Sequence, residues 1–436
     1  MTTRITRGGA ALLLALAAGG VQAQQKPVDI GFIGTLSTPA GYIGEDERDA
    51  FMLAVKEGGG KLGGVPVNVR VEDDALKPAN AKQIADKMVQ GGVRLFTGVN
   101  FSNVMAAVGP TVLNAGGFYV SLNAGPSNYA GKACNPNYFA VAFQNDSYAD
   151  TAGIAANELG AKRVVVMAPN YQAGRDAVAG FKRTYKGEIA EEIYTKLEQA
   201  DFSVELARIR SLNPDAIFQF HPGGAGINLT KQYANSGLAD KIKMITPIYS
   251  MDERMLAATG TAGKGFYLSS LWSADLDNPQ NRHFVEAFTK AYNRAPTAYA
   301  AQAYDTANLI ASGLKAVDGN ITGKADAFRD ALRRADFPSV RGKFKFGPNQ
   351  HPVQEMCIRD RARPAPAPSC SIATAWCAAS ANANSASTSR GRAGSSTTPA
   401  RSGTASWTWR ARPCATPPPA PPTWPPSASP TSAKPP

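Results

Sequence analysis

Residues 1–354 of this 436-residue chain hold a single cysteine, Cys134, and three histidines, His221, His283 and His351. None of these is spaced from another as metal ligands are, so no zinc-type centre is expected. The Gly-x-Ser-x-Gly elbow of a serine hydrolase is missing, and so is a phosphate-binding P-loop. Gly224-Ala-Gly226 comes nearest to a dinucleotide loop. Leu229 occupies the position of its third glycine, however, and the segment reads better as a helix start. Glu45, Asp46 and Glu47 read as the N-terminal turn of a helix, stabilised by its dipole, rather than as a catalytic group. His283 follows Arg282 in a helix-like stretch and reads as a solvated residue. Neither an enzyme nor a cofactor is expected from this set.

An excess of charge is also lacking once its source is located. The formal net charge is +12, but the last 82 residues carry nine basic and two acidic groups and supply most of it. Arg4 and Arg7 supply two more charges, and the remainder is ordinary, so nucleic acid is not an expected partner. Those last residues, 355–436, contain no Leu, Val, Phe or Tyr and cannot build a core that offsets their ordering entropy. They hold four cysteines and four of the five tryptophans in a mixture of Ala, Pro, Ser, Thr and Arg. An out-of-frame reading of a GC-rich gene produces such a mixture; a genuine Pro-rich extension is the alternative. On either reading a disordered tail without function is expected.

Long apolar runs are absent apart from Ala10–Ala18. This run follows Arg4 and Arg7 and precedes the small residues of Val21-Gln-Ala23, the order of an export signal over residues 1–23. It is too short to span a bilayer. The expectation is an exported chain that starts near Gln24 and does not span a membrane.

What is present is alternation. Strand-like runs at 28–36, 65–72, 93–98, 118–121 and 138–143 are separated by helix-like stretches at 44–57, 78–90 and 102–115. The pattern continues with helices at 148–159, 174–185, 202–211 and 224–236 between strands at 163–168, 189–196, 215–220, 243–246 and 266–271. Helices at 279–292, 298–316 and 325–334 follow, and a hairpin turns at Gly347-Pro-Asn-Gln350. Such alternation predicts an α/β fold of parallel sheets covered on both faces. About ten units exceed one comfortable sheet, so two Rossmann-like lobes are expected. The boundaries are 26–143 for the first part of lobe 1, 144–273 for lobe 2 and 274–354 for the rest of lobe 1 with its hairpin.

In open parallel sheets, ligands bind beyond the carboxyl ends of the strands. Those ends carry Tyr42 in the first loop, Asn100, Phe101 and Ser102 in the third, and Asn123, Ala124 and Gly125 in the fourth. In the second half they carry Tyr171, Phe220, His221, Tyr249 and Trp272. Ser102 opens a helix whose free N–H groups favour an anion. One set is rich in small polar groups and the other in aromatics, which suits a small ligand with a polar head and an apolar or aromatic body. Each residue also has a plainer reading: Tyr171, Tyr249 and Trp272 as caps on lobe cores, Asn100 and Asn123 as turn residues.

Residues 1–354 resemble the periplasmic solute-binding proteins of ATP-driven importers, in the branched-chain-amino-acid-binding (type I) group. The resemblance is carried by Ile30-Gly-Phe-Ile-Gly-Thr-Leu-Ser37, Ala168-Pro-Asn-Tyr-Gln-Ala-Gly174 with Gly180-Phe-Lys182, and Ala303-Tyr-Asp-Thr-Ala-Asn308. The Gly265–Trp272 strand and Val340-Arg-Gly-Lys-Phe-Lys-Phe-Gly-Pro-Asn349 add to it. It implies two lobes joined by three crossings that close on a ligand by a hinge. It also implies ligand contacts from Tyr42, Ser102, the Asn123–Gly125 loop, Tyr171, and the regions of His221 and Tyr249. The implied partner is a membrane permease, and the implied location is the periplasm. Amino-acid binders of the group offer an acidic side chain to the ligand's ammonium; Asp252 is the nearest candidate, with a helix start as its other reading. Ligands of both kinds, amino acids and aromatic acids, remain open. A sensory module of the same fold is the alternative function; the export signal, with no membrane helix or signalling domain, favours transport. The resemblance also implies that a last strand and helix should follow Gln354, where the aberrant tail has replaced them and removed a disulfide partner of Cys134.

Overall fold

The structure, a computed structural model, describes residues 26–353, 355–360 and 373–374. The expected export signal, residues 1–23, and the rest of the tail lie outside the described residues. In chain order the first lobe contributes β1 (Val28–Gly34), α1 (Gly41–Glu57), β2 (Lys61–Leu62), β3 (Val65–Asp73), α2 (Pro78–Gln90), β4 (Leu95–Gly98), α3 (Ser102–Asn114), β5 (Phe118–Ser121) and β6 (Tyr138–Ala140). Its six-stranded sheet has the order β2-β3-β1-β4-β5-β6 and is parallel apart from the short β2. Central strands such as β4 and β5 are buried along their whole length, which is why their sequences are apolar runs rather than alternations.

The chain then crosses into a second lobe of α4 (Ser147–Glu158), β7 (Arg163–Pro169), α5 (Gln172–Thr184), β8 (Glu188–Thr195), α6 (Ser203–Leu212), β9 (Ala216–Gln219), α7 (Gly224–Asn235), β10 (Lys243–Pro247), α8 (Glu253–Thr259) and β11 (Tyr267–Ser270). It returns to the first lobe through α9 (Pro279–Tyr292), α10 (Ala298–Val317), α11 (Ala325–Arg334) and the hairpin of β12 (Lys345–Phe346) and β13 (Pro352–Val353). A third crossing then carries β14 (Glu355–Asp360) back to the second lobe, antiparallel on β11, with β15 (Ala373–Thr374) beyond it. The second sheet has the order β15-β14-β11-β10-β9-β7-β8.

Two expectations need correction here. The ordered fold does not stop at Gln354: β14 pairs with Tyr267–Ser270, and Met356 is buried with its sulfur 3.3 Å from Thr151 Oγ1. A composition poor in large aliphatics therefore still supplies a strand, because the neighbouring strand provides the hydrogen bonds and Met356 fills the apolar gap. Cys134 has not lost its partner either; it is disulfide-bonded.

One buried ion pair braces the crossings. Asp305, on α10, accepts from Arg341 Nε at 2.8 Å, from Ser339 Oγ at 2.7 Å and from the Val340 N–H at 2.9 Å. Arg341 also donates to the carbonyls of Val141 and Ala142 in the first crossing, at 2.8 and 2.9 Å. A desolvated charge pair is tolerated because further hydrogen bonds satisfy both partners.

Candidate functional site

The carboxyl ends of both sheets face one cavity between the lobes. Lobe 1 supplies Ile43, Asn100, Phe101, Ser102, Asn123, Ala124 and, from α10, Tyr299; the first crossing supplies Phe143 and Asn145. Lobe 2 supplies Tyr148, Tyr171, Ala173, Phe220, Pro222 and Tyr249. Eight of the twelve residues singled out from the sequence therefore line the cavity: Asn100, Phe101, Ser102, Asn123, Ala124, Tyr171, Phe220 and Tyr249.

Local backbone explains why the first-lobe groups converge. Gly98, at the end of β4, has φ +94°, and a Cβ there would stand 2.1 Å from the Ile33 carbonyl oxygen. Only glycine allows the turn that follows. Asn100 then accepts from the Thr35 N–H at 2.6 Å and donates to Glu47 Oε2 at 2.5 Å, while Asn123 donates to Glu47 Oε1 at 2.6 Å. Glu47, fully buried on α1, is thus the brace for both amides, and burial pushes its carboxyl well above the usual range. It is neither a catalytic group nor part of a first helical turn, since α1 already starts at Gly41.

The remaining wall is aromatic. Phe143 meets Tyr249 with ring centroids 4.5 Å apart and Tyr148 edge-on at 5.0 Å and 87°. Tyr171 lies nearly parallel to Phe220 at 6.4 Å and tilted against Phe101 at 6.3 Å. Tyr299 packs on Tyr249 at 5.2 Å and donates to its carbonyl. Of the residues the sequence reading did not single out, Phe143, Asn145 and Tyr148 lie in or just after the first lobe crossing, and Tyr299 sits in the first turn of α10. The turn of polar residues Gln144-Asn-Asp-Ser147 before α4 was the available signal.

Four candidates do not line the cavity. Tyr42 instead bridges the lobes, donating to Asp252 Oδ2 at 2.6 Å. Gly125 serves close packing, since a Cβ there would stand 1.9 Å from the Phe143 carbonyl oxygen. His221 is fully buried behind the wall, bonded to Thr195 Oγ1 at 3.0 Å and Gln219 Oε1 at 3.1 Å. Trp272 packs edge-on against Phe284 of α9, and its Nε1–H donates to Asn281 at 2.6 Å, so it belongs to the second crossing.

Charge is distributed with the same economy. Among the described residues, no Lys, Arg, His, Asp or Glu lines the cavity. Asp252, the candidate partner for an ammonium, caps α8 through the N–H groups of Arg254 and Met255 and holds the Tyr42 hydroxyl. Asp176 is taken up by Ser127, Asn145 and Gln172. What faces the cavity from the first lobe is the neutral Ser102 hydroxyl at the first turn of α3. Among the described residues no cluster of three or more potential metal ligands occurs, and no helix is long and apolar enough to cross a membrane.

Two parallel-sheet lobes, crossed three times by the chain and closed over a cavity at their carboxyl ends, form the architecture of a solute receptor. The sequence profile of the periplasmic binding protein family matches residues 27–360. The chain belongs to that family, whose members serve ABC transporters as solute-binding proteins. A solute-binding protein of an ABC transporter from R. palustris, solved with benzoate, is 31% identical, covers 77% of this chain and 93% of its own, and superposes with a TM-score of 0.74. Another from Rhodopseudomonas palustris BisB5, in complex with 3,4-dihydroxybenzoic acid, is 29% identical with the same coverage and a TM-score of 0.70. Leu/Ile/Val-binding protein homolog 6 of Brucella melitensis is 28% identical over 348 residues, 77% of this chain and 88% of its own. These relatives are transport proteins, not enzymes.

Proposed function

We propose that this protein captures an aromatic monocarboxylate of the benzoate class in the periplasm and delivers it to the membrane permease of an ABC importer. The observation that carries the reading is the cavity wall: among the described residues it has seven aromatic rings, neutral hydrogen-bond donors and no charged side chain. Stacking and edge contacts with such rings add about 0.5–1.5 kcal/mol per pair beyond burial for an aromatic ligand. An amino acid would bring an ammonium into this wall with no carboxylate to meet it, and a buried unpaired charge is costly. The benzoate and dihydroxybenzoate complexes of two relatives support the same choice, against the Leu/Ile/Val label of the Brucella relative. Export over residues 1–23 and a permease partner follow from the signal pattern and the family.

The test is calorimetric titration with benzoate, 4-hydroxybenzoate, leucine and isoleucine. Benzoates should bind at least tenfold more tightly than either amino acid. Tight binding of leucine or isoleucine with none of the benzoates overturns the reading.

A further inference from the structure

Tyr148 lines the cavity, is 1% exposed, and its hydroxyl meets no hydrogen-bond partner among the described residues. A buried hydroxyl without a partner is unfavourable, so folded proteins retain few of them. Tyr119 and His351 also carry unpartnered buried atoms, but neither lines the cavity. The Tyr148 ring is fixed by its edge-on contact with Phe143 and by Tyr249 and Phe220, both at 5.5 Å. Burial drives its phenol well above the ordinary range, so at neutral pH the hydroxyl keeps its proton and is a donor.

Across the cavity, Ser102 has a matching surplus. Its oxygen accepts from Asn145 Nδ2 at 2.8 Å, and no described acceptor takes its own proton. Asn145 Nδ2 also donates to Asp176 of α5, at 3.1 Å, which holds the amide in place against Ser102. One donor thus comes from each lobe, and a carboxylate has two oxygens and about four lone-pair sites with which to accept from both.

Building on the benzoate-class reading, we propose that Tyr148 is the second lobe's anchor for the ligand carboxylate. It donates to the same anionic group that Ser102 holds from the first lobe, so that one carboxylate ties the lobes together. A ligand lacking that group leaves the Tyr148 hydroxyl unpaired, so closure selects carboxylates over neutral isosteres.

The experiment compares the full chain with its Tyr148→Phe variant, titrated with benzoate, 4-hydroxybenzoate, leucine and, as an analogue without an acceptor, toluene. Without ligand the variant should melt at the same or a higher temperature, because an unpaired buried hydroxyl has been removed. It should bind whichever carboxylate the wild type binds at least tenfold more weakly, while toluene binding does not weaken. Wild-type carboxylate affinity in a folded Tyr148→Phe variant overturns this inference and leaves the functional reading standing. A crystal structure of the wild type with benzoate gives the check that needs no variant. Tyr148 Oη should lie within about 3 Å of a carboxylate oxygen, and a separation beyond hydrogen-bond reach overturns the inference. A wild type that binds only solutes without a carboxylate overturns both.

Discussion

His221 follows a strand end, where ligand contacts are expected, yet its imidazole is locked into the second lobe. Gln219 donates its own Nε2 to Thr246, so its Oε1 faces His221 Nδ1. The ring proton therefore sits on Nδ1, and Nε2 accepts from Thr195. Burial pushes the group from 6.5 down to about 3, and His351 down to about 4. In this range the unfolded chain binds protons that the folded one does not. The stability from each histidine is thus complete above about pH 6.5 and is lost as pH falls toward its folded value. Asp150 and Asp252, each raised to about 6 chiefly by burial, act with the opposite sign between about pH 4 and 6. His221→Gln should remove about 1.4 kcal/mol per pH unit from the acid-side slope of stability. Urea midpoints measured between about pH 4.5 and 7 report that slope. An unchanged slope would show that His221 is not buried as a neutral ring.

At the scale of elements, α1 and α8 meet across the cleft through residues whose functions the sequence did not disclose. Tyr42 of α1 donates to Asp252, the cap of α8, and the Arg254 guanidinium lies 4.9 Å from the Tyr42 ring centroid while reaching Asp46 at 3.1 Å. Asp46 is also held by Arg294 at 2.9 Å and Thr297 at 2.9 Å, so the clasp is anchored on the α9–α10 side of lobe 1. Removing the Tyr42 hydroxyl deprives buried Asp252 of a donor, which costs about 1–3 kcal/mol where the lobes are closed and little where water reaches the carboxylate. Tyr42→Phe should therefore weaken ligand binding about tenfold and leave the melting temperature of the ligand-free protein unchanged. Calorimetry and differential scanning measure the two quantities, and an unaltered affinity would remove the clasp from closure. The motifs that carried the family resemblance acquire a physical role at this scale as well. Asp305 in Ala303–Asn308 and Arg341 in Val340–Asn349 form the buried pair that braces the crossings. Their separation of 36 residues hid the pairing from any local pattern.

For the whole molecule, the third crossing carries the fold past Gln354. A chain ended at Gln354 loses β14, exposing the β11 edge and removing buried Met356, whose burial contributes about 1.5–3 kcal/mol. With a reductant present, so that the Cys134 disulfide does not contribute, that chain should melt several degrees below one ended at Arg361. Equal melting temperatures would show that β14 adds nothing. Apolar runs, caps and Pro at helix starts determined the order of strands and helices from the sequence alone, because those signals act over a few residues. Asn278 and Thr297, for example, cap α9 and α10 from the side chain just before each helix. The rule that ligands sit at strand ends brought eight cavity residues into view for the same local reason. Which residues touch across the lobes was decided by tertiary structure alone. Tyr42 meets Asp252 over a separation of 210 residues, and Tyr148 joins Ser102 at one cavity only after three crossings bring two sheets face to face. A local pattern sets which element a residue belongs to; burial, and the partner it finds there, sets whether it binds, braces or clasps.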